Sequence, residues 1–71
     1  MKTLDSIERQ VLVNKYCKSG LTFEESVIKV NKFHDYLKDM RDKLRLKKVS
    51  DIDIEIKFRK EFETLCCSLE N

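Results

Sequence analysis

A chain of 71 residues allows one domain that hides only roughly 60% of its unfolded surface, so stability is thin and a staple or a partner helps. With 41% hydrophobic and 39% charged residues, it is too apolar to stay disordered and too charged to live inside a membrane. The formal net charge of +2 conceals a block pattern, +4 over residues 36–49 followed by −3 over residues 50–71.

Asp5, Glu8 and Arg9 stand where a signal peptide needs an apolar run. Cys17, Cys66 and Cys67 are odd in number, and a bridge between the adjacent pair would be strained. Both features point to a reduced, cytoplasmic protein with no membrane partner.

Proline is absent and Gly20 is the sole glycine, so the usual breakers of helices are missing and long helices are the default. Leu4, Ile7, Val11, Leu12 and Tyr16 recur at helical spacing, with Thr3 or Asp5 as cap, and Gly20 suits a left-handed helix terminus. A first helix is predicted over about residues 4–18.

Thr22 with Glu25 three positions later reads as a reciprocal capping box, and Glu24 adds negative charge at the positive end of the helix dipole. Beyond it Phe23, Val27, Val30, Phe33, Leu37, Met40 and Leu44 alternate steps of three and four, an apolar stripe of about three heptads, as in a coiled coil. Arg45, Lys47 and Lys48 suit the negative end of the dipole, which puts the second helix over about residues 22–48.

Ser50, Asp51 and Asp53 form a further cap, after which Ile54, Phe58, Phe62, Leu65 and Leu69 share one helical face. The third helix is predicted over about residues 51–69. A strand competes over 51–58, where Ile52, Ile54, Ile56 and Phe58 alternate strictly. Such a strand would have to pair with another copy of the chain.

The fold expected is all-α, a three-helix bundle or helical hairpin around a long central helix. Its predicted core comprises Phe23, Val30, Phe33, Leu37, Met40, Leu44, Phe58, Phe62 and Leu65. A 26-residue helix is about 39 Å long, whereas a compact domain of this size has a radius of gyration of about 11 Å. An overhanging stripe needs a cover, and a second copy about a two-fold axis supplies one, so a homodimer is expected. The alternative is a monomer in which the first and third helices cover the stripe between them.

The chemistry-bearing residues are sparse. Lys38, Arg41, Arg45 and Lys48 share one helical face at steps of three and four, which suits phosphate neutralisation and hence nucleic acid. Against it, Asp51, Asp53 and Glu55 would lie beside those cations in an antiparallel hairpin. A glycine-bearing turn between two helices also occurs in DNA-reading helix pairs, but here the second helix opens with Phe23, Glu24 and Glu25, whose carboxylates repel phosphate. His34 edges the apolar stripe as a packing residue. Together with the three cysteines it could supply four zinc donors, but no Cys-x-x-Cys or His-x-x-x-His spacing brings two together.

No glycine-rich cradle and no activated nucleophile is visible. No enzymatic activity, cofactor, metal or small-molecule substrate is therefore expected. The function predicted is protein binding, by a regulator, inhibitor, adaptor or chaperone that also binds itself, through Val30, Phe33, Leu37, Met40, Leu44, Ile52 and Ile56. A nucleic-acid-associated regulator is the second expectation.

Overall fold

The computed structural model describes residues 4–69. Three helices run in sequence, α1 over Ser6–Lys18, α2 over Phe23–Leu46 and α3 over Asp51–Leu69, and no strand occurs among the described residues. Residues 51–58 are helical, so the strand alternative is excluded for this chain.

Local chemistry sets each start. The Asp5 carboxylate accepts from the Glu8 N–H at 2.7 Å while Glu8 reaches back to the Asp5 N–H, so the capping box of α1 is built on Asp5; Thr3 lies outside the described residues. Thr22 and Glu25 make the same reciprocal pair for α2. For α3 the Ser50 hydroxyl accepts from the Asp53 N–H at 3.3 Å. Each bond satisfies one of the amides that a helix N-terminus leaves without an internal partner.

Both turns end a helix in one way. Gly20 N–H reaches the Cys17 carbonyl and Leu21 N–H the Tyr16 carbonyl; Lys48 N–H reaches the Arg45 carbonyl and Val49 N–H the Leu44 carbonyl. This is the Schellman pattern, which requires a left-handed residue directly after the C-cap. Gly20 takes it at φ 112° and Lys48 at φ 61°. As a result α2 stops at Leu46, two residues earlier than its basic tail suggests.

The 24 residues of α2 make a rod of about 36 Å, nearly the full 40 Å long axis of the molecule. The radius of gyration is 12.8 Å, above the value of about 11 Å for a compact domain of this length. Packing is closest between α1 and α2, with α3 against both. Leu4, Leu12 and Val13 meet Val30 and Leu37 of α2 and Ile54 and Phe58 of α3 in a buried centre. Tyr16, Val27, Phe33, Met40, Leu44, Phe62 and Leu65 surround it half-buried. The centre of the α2 stripe, Val30 and Leu37, is thus covered from within the chain, by α1 and α3.

One core residue of the sequence reading moves out. Phe23 is 64% exposed, because it directly follows the Thr22 cap and lies at the mouth of the α1/α2 groove. Ser26 takes the enclosed place near that turn, fully buried. Its hydroxyl donates to the Thr22 carbonyl at 2.8 Å and sits 3.3 Å from Cys17 Sγ. A short turn brings the two backbones close, and a small self-satisfied side chain fits there where a ring does not.

Candidate functional site

Two faces of the bundle carry groups that the fold does not consume. The first is the outward edge of α3. Ile54 and Phe58 point inward and are buried, which at 3.6 residues per turn turns Ile52 and Ile56 outward one turn apart. They are 72% and 47% exposed. Exposed Cys67 lies on the same side of the helix, and Leu46, 85% exposed, ends α2 close by in sequence.

The other five residues expected at an interface lie elsewhere. Val30 and Leu37 are enclosed in the core and face the chain's own helices. Phe33, Met40 and Leu44 are half-buried against it. The Phe33 ring stacks on Tyr36 with centroids 6.3 Å apart, and Met40 and Leu44 reach an open groove shared with Tyr36, Lys43 and Lys47. Spacing identified the stripe but not its cover; α1 decides that, and its own apolar residues point several ways.

The second face is cationic. The 13 residues of α1 extend about 20 Å, so α1 leaves one flank of the second half of α2 uncovered. Lys38 and Arg45 are exposed on this part of α2, whereas the Arg41 side chain is mostly covered, at 20% exposure. Arg45 Nε lies 3.8 Å from an Asp51 carboxylate oxygen and Arg41 Nε 3.4 Å from one of Asp42. Lys38 makes no ion pair among the described residues. Lys48 leaves the stripe, since it lies beyond the helix in the left-handed turn position.

Arg9 of α1 joins this face, a residue that spacing within α2 could not reveal. Its guanidinium donates to the Asn31 side-chain oxygen. Burial, and then the charges of Arg9 and Lys38, hold the His34 imidazole below its ordinary range, with Arg41 adding to the effect and Asp35 opposing it.

The thiols do not form a site. Cys17 is half-buried beside Ser26, Cys66 is half-buried, and none of the three cysteines is joined in a disulfide. Among the described residues no three His, Cys, Asp or Glu side chains are grouped to hold a metal ion, and no helix is long and apolar enough to cross a membrane. The comparisons with protein families, curated proteins and solved structures found no match for this chain.

Proposed function

We propose that the chain is a non-catalytic protein-binding module of the regulator, inhibitor, adaptor or chaperone kind, which acts through helical packing surfaces, self-association included. The observation that carries this reading is the pair Ile52 and Ile56, left in water on a helix whose opposite face already fills the core. No buried side-chain nitrogen or oxygen among the described residues lacks a partner, so no polar group in the core calls for that edge. Removing two isoleucines from water on a partner supplies roughly 1.5–3 kcal/mol for each fully buried side chain. The cytoplasm suits cysteines that form no disulfide.

Size-exclusion chromatography with light scattering, recorded at 260 and 280 nm, tests the reading. A mass of twice the chain's 8.5 kDa without nucleic-acid absorbance supports it. A monomer that also fails to retain any protein partner on an immobilised column counts against it.

The placement of Arg9 on α1 and of Lys38 and Arg41 on α2 around His34 favours a nucleic-acid-associated regulator as the second reading. Phosphate binding there depends steeply on salt. Arg41→Glu with Arg45→Glu should abolish it, and binding that survives both reversal and high salt would exclude it. The pairing of Arg45 with Asp51 already cancels part of the field.

A further inference from the structure

We infer that the outward edge of α3 pairs with the same edge of a second copy, antiparallel, about a two-fold axis beside Ile56 and Lys57. The inference rests on the self-association part of the proposed function and gives it a surface, an orientation and a register.

The edge has two flanks. At 3.6 residues per turn, Asp53 and Lys60 fall on one side of the Ile52/Ile56 line, and Glu55 and Arg59 fall on the other. All four charges are exposed, and none makes an ion pair among the described residues. Each flank thus carries one acid and one base, with the acid towards the N-terminus.

In an antiparallel two-fold pair, each flank meets the same flank of the other copy with its direction reversed. An axis midway between Asp53 and Lys60 brings Asp53 level with Lys60 of the second copy. An axis midway between Glu55 and Arg59 brings those two level. The two midpoints fall within half a residue of each other, beside Ile56 and Lys57, so a single axis satisfies both flanks. Ile56 then meets Ile56 of the second copy, and Ile52 rests between the levels of Arg59 and Glu63, against their aliphatic stems. Four ion pairs surround a small apolar centre.

A parallel pair fails on the same charges. It sets Asp53 beside Glu55 and Lys60 beside Arg59, like against like on both flanks, which repels. The pattern therefore selects orientation as well as partner. Only two isoleucines per copy are buried fully, so the interface is small and the association depends on concentration.

Sedimentation equilibrium over a concentration series, at low and at high salt, tests the pairing. Arg59→Glu with Lys60→Glu takes the formal net charge from +2 to −2, so general repulsion between copies keeps its size. The dimer should weaken by about tenfold or more, a loss expected when four exposed pairs turn into repulsions. Adding Asp53→Lys and Glu55→Lys to the same chain reverses both ends and should restore the dimer to within about threefold of the parent. Helicity by circular dichroism should be the same in all three.

A dimer indifferent to the double reversal, or not restored by the fourfold one, overturns this pairing and leaves self-association standing through another surface. A parent chain monomeric throughout the series overturns the pairing and self-association together. As a second readout, Ile56→Cys in a chain with Cys17, Cys66 and Cys67 replaced by alanine should form a covalent dimer under mild oxidation. Its failure to cross-link while the dimer mass persists also overturns the register.

Discussion

Gly20 and Lys48 occupy the same position in the two interhelical turns, both in the left-handed region, at φ 112° and 61°. Glycine adopts that region at no steric cost, whereas a residue with a Cβ gives up roughly 1–2 kcal/mol there. The second turn therefore carries strain that the first avoids. Lys48→Gly should raise unfolding stability by about 1 kcal/mol, less the flexibility that glycine adds to the unfolded chain. Gly20→Ala should lower stability by a similar amount. Nothing lies within 4 Å of the Cβ it would add, so the penalty is torsional and not a clash. Urea midpoints at unchanged slope would read both; no gain from Lys48→Gly would mean that the lysine's own contacts offset the strain.

Leu37 and Phe23 were equal members of the predicted stripe, and the fold separates them. Leu37 is fully buried between the other two helices, so Leu37→Ala should lose about 2–5 kcal/mol through lost transfer energy and the cavity left behind. That is about half of the roughly 4–11 kcal/mol expected at this length, and thermal melts should show a strongly lowered midpoint. Phe23→Ala removes a side chain still largely in water and should change stability by less than about 1 kcal/mol. Equal losses at the two positions would contradict this core.

The contrast shows what was legible in the sequence. Helix boundaries were, because a capping box or a Schellman turn is local chemistry: Thr22 with Glu25, Ser50 with Asp53, and Gly20 each mark an end within four residues. The all-helical fold followed from the lack of proline and the three apolar periodicities. Which apolar residues face inward was less legible where a helix spreads them around its circumference. In α1, Ile7 and Val11 shared the reading with Leu4 and Leu12, yet Ile7 is 75% exposed and Val13 is buried. Ser26 lies in the core because of how closely α1 approaches α2, a tertiary fact with no local signature. Arg9 enters the cationic face for the same reason. Lys48 was misplaced because a run of cations at a helix end reads as helix, while the left-handed turn that stops it here lacks its usual glycine.

Thr22 is the best-marked cap in the sequence and offers a direct test of how much of α2 depends on it. Its hydroxyl accepts from the Glu25 N–H at 3.1 Å, and Glu25 accepts from the Thr22 N–H at 3.2 Å. The hydrogen bonds from Thr22 hold the Glu25 carboxyl below its ordinary range. Thr22→Ala should lower stability by about 1 kcal/mol, and should move the Glu25 pKa only part of the way back up by NMR titration, since the backbone N–H at position 22 still donates to that carboxylate. Thr22→Ser should retain most of the stability, whereas an alanine variant as stable as the parent would mean that the hydroxyl half of the box is not formed in solution.

His34 gives the chain a pH dependence of predictable sign. Its folded-state pKa lies below 6.5, from burial first and then from Arg9, Lys38 and Arg41, with Asp35 opposing. The native state thus binds this proton less readily than the unfolded chain does, and stability rises with pH wherever the unfolded state holds more protons. The full stability is present above about pH 6.5. It falls as pH drops through that value and levels off once pH is below the folded-state pKa. Glu25 acts in a separate window, its contribution present above its ordinary 4.5 and lost below it. Melting temperatures measured from pH 8 to pH 5 should therefore decline in the parent chain and stay flatter in His34→Gln. Arg41→Gln should raise the His34 pKa and shrink the decline without abolishing it, since burial remains. The same acid decline in His34→Gln as in the parent would place the sensitivity in other groups and remove the positive field from the account of this face.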